Sequence, residues 1–132
     1  MWGVRVLDYR FDHIHLISPD PLKTAQFYED MFNAKRVIVR ELEGGYASVE
    51  LNLNGTKIMI MSQADTGLSD KVDSYGLDHF GIITNNLEAA VAELKAKGVK
   101  FQQEITKIRP GVKISFLWAP ENVLIELAER SG

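Results

Sequence analysis

Two short stretches of the chain decide its fold: Phe-Asp-His-Ile-His-Leu-Ile at residues 11–17 and Leu-Asp-His-Phe-Gly-Ile-Ile at residues 77–83. Both alternate in polarity and are rich in β-branched or aromatic residues, which indicates strands. His13 and His79 occupy the same place in the two copies. A repeat of this kind indicates one supersecondary unit that occurs twice.

Each of these strands runs directly into the signals of a helix. After the first strand, Asp20 fits an N-cap, Pro21 suits the first helical position, and an apolar face continues to about Asn33. After the second strand, Asn86 can cap the helix and Gly98 supplies a left-handed stop. The two copies therefore share one order of elements.

Three strands are expected after each helix. They cover about residues 35–42, 46–53 and 57–62 in the first copy and about residues 99–108, 112–119 and 123–129 in the second. Asn54-Gly55 is a strong two-residue hairpin signal, and Pro120-Glu121-Asn122 occupies the matching turn. The predicted fold class is α+β, with two βαβββ modules that form a curved mixed sheet.

A single domain is expected to span residues 1–132. Within it, the first module is predicted over residues 11–63 and the second over residues 77–130. Residues 64–76 are longer than most connections, so they are interpreted as a linker or as a flap over a site.

Composition excludes several kinds of function. The chain has no Cys and three His, so disulfide scaffolds, thiolate metal sites and cysteine nucleophiles are excluded. A formal charge of −3 without a basic stripe argues against a nucleic-acid partner. No apolar run approaches the roughly 20 residues of a membrane span, and the first residues lack the features of a signal peptide. We therefore expect no membrane partner and a cytoplasmic location.

The histidines are expected to share one face of the sheet. Along a strand, side chains alternate, so His13 and His15 project to one side and Ile14 and Leu16 to the other. The two apolar residues suit the side that a helix covers. His79 falls on the corresponding face of the second copy, so the two modules can bring imidazoles together.

A carboxylate is expected to join the histidines. When the fourth strands of the two copies are aligned by their turns, Glu126 matches Met59. Glu126 lies in an apolar strand, where an enclosed carboxylate needs a partner. His13, His79 and Glu126 converging from three strands are typical of a divalent-metal site, and these ligand types suit Fe(II), Mn, Ni, Co or Zn.

Other candidate residues have two open interpretations. His15 is either an acid or base that transfers protons beside the metal or an ordinary polar lining residue. Met59 and Met61 are interpreted as lining of a substrate pocket, because a thioether is a poor match for a hard or borderline cation. Three aromatic residues supply either stacking surface for a planar ligand or core packing: Tyr46, Phe116 and Trp118.

The order of these motifs resembles that of the vicinal oxygen chelate (VOC) superfamily. This superfamily contains glyoxalase I, methylmalonyl-CoA epimerase, the extradiol dioxygenases and the fosfomycin and bleomycin resistance proteins. The resemblance implies that the modules form a cup and that the metal is held from the first and fourth strands of each module, at His13, Met59, His79 and Glu126. It rests on phrases spread over nearly the whole chain: Asp12-His13-Ile14, Asp20-Pro21, Phe27-Tyr28, Leu77-Asp78-His79-Phe80, Ala119-Pro120-Glu121-Asn122 and Ile125-Glu126-Leu127.

The sequence departs from that family at Met59, where glyoxalase I and the epimerases usually carry Glu or Gln. The remaining His13, His79 and Glu126 resemble the two-histidine, one-carboxylate face of Fe(II) dioxygenases. The resemblance therefore favours Fe(II) and a dioxygenase-like enzyme that binds a small-molecule substrate through vicinal oxygens. Glu50, on the third strand, is an alternative replacement for the missing ligand.

Two other functions stay open. A lyase or isomerase of the glyoxalase I or methylmalonyl-CoA epimerase type needs a base beside a carbonyl, for which Glu43 and Glu126 are candidates. Lys107, Arg109 and Lys113 would suit its coenzyme A or glutathione substrate. A metal-free drug-binding protein would use the cup to trap a planar ligand.

A homodimer is expected, because a curved sheet of this size leaves edges and an apolar seam to cover.

Overall fold

The structure, a computed structural model, describes residues 6–41, 47–62 and 75–131. Within these residues the elements follow the order βαβββ twice. The first set consists of β1 (Tyr9–Ile17), α1 (Pro21–Phe32), β2 (Lys35–Glu41), β3 (Ala47–Leu53) and β4 (Thr56–Met61). The second set consists of β5 (Gly76–Thr84), α2 (Leu87–Ala96), β6 (Lys100–Arg109), β7 (Val112–Ala119) and β8 (Val123–Arg130).

The chain divides into two compact units, His13–His79 and Met1–Asp12 together with Phe80–Gly132. In the His13–His79 unit the strands lie in the order β2-β3-β4-β1. β3 is antiparallel to β2 and β4, whereas β1 runs parallel to β4. α1 covers one face of these strands through a buried apolar cluster: Ala25, Ala34, Val49, Leu51, Ile58 and Ile60.

Both ends of α1 are where the sequence predicts them. The side chain of Asp20 accepts a hydrogen bond from the backbone N–H of Lys23 at 3.2 Å, and Pro21 occupies the first turn. Asn33 ends the helix in the left-handed region, at φ 61°, a conformation that asparagine tolerates better than most residues. The cap and the stop together fix where α1 begins and ends.

The second unit repeats this plan. Its strands lie in the order β5-β8-β7-β6, with β5 parallel to β8 and β7 antiparallel to both β6 and β8. One face packs against α2 through Leu87, Ala90, Val91, Leu117 and Leu127. The residues that alternate with these along β7 and β8 form a second buried cluster, which consists of Ile114, Phe116, Leu124 and Ala128.

The turns that end the strands have the predicted conformations. Asn54 and Gly55 both have positive φ, at 49° and 101°, as a two-residue hairpin turn requires. Glu121 and Asn122 in the matching turn of the second set also have positive φ, at 64° and 59°. Gly98 follows α2 at φ 93° and is the predicted left-handed stop.

The α+β class and the repeated βαβββ order predicted from the sequence are confirmed. The single domain over 1–132 and the module bounds 11–63 and 77–130 stay predictions. Most of the predicted linker of residues 64–76 lies outside the described residues, since residues 64–74 are not among them. Neither helix in the described ranges has the length and apolar character that a membrane span needs.

Candidate metal centre

Three buried histidines come together in the His13–His79 unit. His13, His15 and His79 are 5%, 8% and 5% exposed, and one ring nitrogen of each lies within 4.8 Å of those of the other two. The ring centroids of His13 and His79 are 5.6 Å apart. Those of His15 and His79 are 4.4 Å apart, with the rings stacked at 27°. We call these three residues the histidine cluster.

Strand register explains why two of the histidines share a face. In the parallel pairing of β1 with β4, Leu16 lies beside Ile60. Both belong to the apolar layer under α1. Because side chains alternate along a strand, His13 and His15 project from the opposite face. This is the orientation that the sequence pattern predicts, and it separates the imidazoles from the helix-covered core.

Polar side chains continue this face across the neighbouring strands. Met59 on β4 lies beside His15, Glu50 on β3 lies beside Met59, and Lys57 lies beside His13. Register partners project from the same side of a sheet, so all three share the face of the histidine cluster, and each is half-buried. Glu50 is two strands from His15, a backbone separation of about 10 Å.

A buried carboxylate orients one of the histidines. Oδ2 of Asp78 lies 2.7 Å from Nδ1 of His79, and the two side chains are 1% and 5% exposed. A carboxylate oxygen accepts in this pair, so Nδ1 of His79 donates, and in the neutral imidazole Nε2 carries the lone pair. Histidines that ligate metals are commonly held by a partner of this kind.

The donor set of the cluster fits a divalent metal. Each imidazole supplies one nitrogen, and the three nitrogens lie close enough to surround a single ion. Imidazole nitrogen suits Zn, Ni and Fe, which includes the Fe(II) favoured by the sequence. His13, His15 and His79 are therefore a group of described residues that could hold a metal.

The predicted carboxylate ligand lies on a strand of the second unit. Glu126 is half-buried on β8, beside Gly81 of β5 and Phe116 of β7. By alternation it projects from the face of these strands that is turned away from α2. Its role as a metal ligand stays a prediction. Glu43 and Tyr46, the predicted base and one of the stacking residues, lie outside the described residues.

The predicted pocket-lining residues differ in their exposure. Met59 and Met61 are half-buried on β4, and Met61 lies beside Ile17. Phe116 is 1% exposed and belongs to a buried apolar cluster, against which the half-buried Trp118 packs. The burial of Phe116 is that of a core residue, although it shares the face of Glu126, its register partner. Substrate binding by these residues stays a prediction.

The sequence pattern does not assign two residues of this region, Asp78 and Glu50, the roles that the structure suggests. Asp78 has a signal in the sequence, since an Asp-His dipeptide occurs in both copies. The first of these aspartates, Asp12, accepts hydrogen bonds from Arg130 at 3.0 and 2.9 Å. Glu50 is a substitute ligand in the sequence interpretation, and the β3–β4 register puts it on the face of the histidine cluster.

One residue of the predicted basic group is engaged in ion pairs. Nζ of Lys113 lies 2.6 Å from Oε2 of Glu88 and 3.9 Å from Oε1 of Glu129. The hydrogen bond with Glu88 raises the pKa of Lys113, and the same bond lowers the pKa of Glu88. Because its charge is compensated on this surface, Lys113 is a weaker candidate for binding an anionic substrate.

The chain is similar in sequence to a known protein family and to a relative from mouse. The family model described as Glyoxalase/Bleomycin resistance protein/Dioxygenase superfamily matches residues 10–127. Over 129 residues the chain is 31% identical to mitochondrial methylmalonyl-CoA epimerase from Mus musculus, an alignment that covers 91% of this chain and 72% of the relative.

Two solved structures share the fold. Methylmalonyl-CoA epimerase from Mycobacterium tuberculosis is 21% identical with a TM-score of 0.70, covering 92% of this chain and 88% of that one. A variant of 4-hydroxymandelate synthase from Streptomyces coelicolor is 19% identical with a TM-score of 0.69, covering 94% of this chain and 49% of that one. With the family model matched across residues 10–127, the chain belongs to the Glyoxalase/Bleomycin resistance protein/Dioxygenase superfamily, the VOC family that its repeated strands resemble.

Proposed function

We propose that the chain is a divalent-metal-dependent enzyme that binds a small carbonyl substrate through adjacent oxygens and moves a proton at the neighbouring carbon. The observation that carries this proposal is the buried histidine cluster, in a chain that is 31% identical to a methylmalonyl-CoA epimerase. Because of this similarity, we favour isomerase chemistry over the dioxygenase-like chemistry that a methionine at residue 59 favours.

His13 and His79 would hold the metal, with Glu126 as the predicted carboxylate ligand. When bound, a divalent metal acts as a Lewis acid on a carbonyl oxygen and so acidifies the adjacent C–H bond. Asp78 keeps His79 in the tautomer that presents Nε2. The low exposure of His13, His15 and His79 limits the access of bulk water to these nitrogens.

Glu50 is the proposed base. Its half-buried carboxylate shares the face of the histidine cluster, and β3 lies about 10 Å from β1 across β4. Met59 of β4 lies between them on this face, so a substrate that spans the imidazoles and the carboxylate would lie over its side chain. A base in this position faces the carbon next to a carbonyl that is held at the histidines. Glu43 remains a predicted second base.

The proposed substrate class is an acyl-CoA thioester with a carboxylate on the carbon beside the thioester carbonyl. Such a compound offers two oxygens for chelation and an acidic C–H between them. Lys57 lies beside His13 on the same face, where its ammonium would pair with the substrate carboxylate. The Mus musculus and Mycobacterium tuberculosis relatives are named for methylmalonyl-CoA, a compound of this class.

Deuterium exchange tests this proposal. Protein loaded with Co(II) is incubated with methylmalonyl-CoA in D₂O, and mass spectrometry follows deuterium incorporation at the carbon between the two carbonyl groups. We expect metal-dependent exchange that falls at least about 100-fold in Glu50→Gln, the lower end of the usual contribution of a general base.

Ser48→Ala is the matched control, because Ser48 is a buried residue of the same face of β3. This variant should exchange at the wild-type rate, and Glu50→Gln should still bind Co(II). Absence of exchange in the wild type would overturn the proposed reaction. Wild-type exchange in Glu50→Gln would instead remove Glu50 as the base.

Dioxygenase-like chemistry is the second candidate. The observation that favours it is Met59, which lies beside His15 and offers a thioether where the related enzymes supply an oxygen donor. Fewer protein ligands leave more coordination positions for small molecules. Oxygen uptake by Fe(II)-loaded protein with a panel of catechols and 2-oxo acids would identify this reaction. A protein that binds planar ligands and no metal would match the drug-binding alternative.

The proposal also includes a cytoplasmic homodimer, both parts of which stay predictions. Light scattering coupled to size-exclusion chromatography measures the oligomeric state directly. A monomer in that experiment would leave the histidine cluster intact, since all three histidines lie within the His13–His79 unit.

A further inference from the structure

We propose that His15 is a direct ligand of the metal, so that the centre of this chain is built from three imidazoles. The sequence pattern predicts a proton-transfer or lining residue at His15, and its register neighbour at position 59 is a methionine, not a carboxylate or an amide. The inference rests on the proposed metal dependence and specifies which residues of the His13–His79 unit meet the ion.

Distances support coordination by all three rings. One nitrogen each from His13, His15 and His79 lies within 4.8 Å of the other two. With Zn–N bonds of about 2.0–2.1 Å, two nitrogens bound to one ion lie about 3 to 4 Å apart. Closing the cluster around an ion therefore requires movements of about 1 to 2 Å, which rotation of an imidazole about its side-chain torsions supplies.

Burial argues against the alternative role of His15. The side chain is 8% exposed, and its ring stacks on that of His79 at a centroid distance of 4.4 Å. A residue that exchanges protons with a substrate has to present a ring nitrogen to it. The ring of His15 packs against that of His79, and one of its nitrogens lies within 4.8 Å of the nitrogens of His13 and His79, so His15 adds a third donor to the same small volume.

The register neighbour of His15 explains why His15 would act as a ligand. Met59 is its partner in the β1–β4 register and projects from the same face. A thioether is a soft, weak donor for borderline divalent cations. His15 therefore supplies, from the adjacent position, the donor that residue 59 lacks.

Cobalt binding distinguishes the two roles. Apoprotein is titrated with Co(II), and both the dissociation constant and the visible absorption of the bound ion are measured for wild type and His15→Ala. Loss of an outer-shell partner typically weakens metal binding 10–100-fold, so loss of a ligand should weaken it by more than about 100-fold and change the spectrum. Ser48→Ala, a buried substitution on the same face, should match the wild type in both.

A double substitution tests whether a donor at residue 59 can replace His15. His15→Ala/Met59→Glu restores a donor at the adjacent register position and should recover at least about tenfold of the lost affinity. His15→Leu, which keeps much of the side-chain volume and carries no donor atom, guards against unfolding, and circular dichroism checks each variant. Wild-type affinity and spectrum in His15→Ala and His15→Leu would overturn the inference while leaving metal dependence intact. A wild type that binds no Co(II) would overturn both.

Discussion

Oδ2 of Asp78 lies 2.7 Å from Nδ1 of His79 in a buried pair, and this bond leaves Nε2 as the nitrogen of His79 that would meet a metal. The carboxylate accepts from Nδ1, so in the neutral imidazole the lone pair resides on Nε2. Asp78 contacts His79 directly, and it belongs to an Asp-His dipeptide that occurs in both halves of the chain.

Replacement of Asp78 by Asn should weaken metal binding. The amide removes the charge that favours the Nδ1–H tautomer, so we expect Zn(II) affinity to fall about 10–100-fold in isothermal titration calorimetry. ¹⁵N NMR of the imidazoles should also report a change in the tautomer of His79.

Asp12→Asn is the matched control for this variant. Asp12 holds the equivalent place in the first copy, and its carboxylate accepts two hydrogen bonds from Arg130. It should leave the tautomer of His79 unchanged. If the two variants lost the same affinity, the orienting role of Asp78 would be contradicted.

Truncation of Phe116 should act on stability more than on ligand binding. The ring is 1% exposed within the cluster of Ile114, Leu124 and Ala128. Phe116→Ala leaves a cavity there, and we expect a loss of about 3–5 kcal/mol in the free energy of unfolding, measured by urea denaturation. A loss below about 1 kcal/mol would argue that Phe116 is free to line a substrate pocket instead.

The caps of the two helices should contribute similar stability. Asp20 and Asn86 accept hydrogen bonds from Lys23 N and Ala89 N at 3.2 and 3.1 Å. Asp20→Ala and Asn86→Ala should each lower the free energy of unfolding by about 1 kcal/mol. Co(II) affinity should stay at the wild-type value in both, since neither residue belongs to the histidine cluster. A cap variant with weakened Co(II) binding would contradict this separation of roles.

The pair of Glu88 and Lys113 should make stability depend on pH in the acid range. The hydrogen bond from Lys113 lowers the pKa of Glu88 from its usual 4.5. Because the folded pKa is the lower one, the contribution is present above pH 4.5 and is lost as pH falls through the folded value.

Glu88→Gln therefore tests the pair. Wild type should be slightly more stable than the variant at neutral pH, with the difference vanishing in acid, as followed by thermal unfolding. A difference that persists below the folded pKa would contradict an electrostatic origin.

The sequence contains enough local information to predict the fold. Repetition of the His13 and His79 strands identifies the two βαβββ units, and the caps at Asp20 and Asn86 locate both helices. These features are local, because a cap or a hairpin such as Asn54-Gly55 depends on a few neighbouring residues. For this reason the structure places them where the pattern predicts.

The site could be predicted only in part. Alternation puts His13 and His15 on one face, but it cannot say that the ring of His15 stacks on His79. That contact depends on the non-local arrangement of β1 and β5, which no periodicity encodes. Glu50 is a similar case, because its proximity to Met59 follows from the β3–β4 register and becomes significant only once that face is known to carry the cluster.

Metal content tests the histidine cluster most directly. The protein is purified without chelator and analysed by mass spectrometry of its metals, in parallel with His79→Ala. We predict a single divalent metal ion per wild-type chain and almost none in the variant. Equal, negligible metal in both proteins, even after incubation with Fe(II), Co(II) or Zn(II), would contradict a metal centre at His13, His15 and His79.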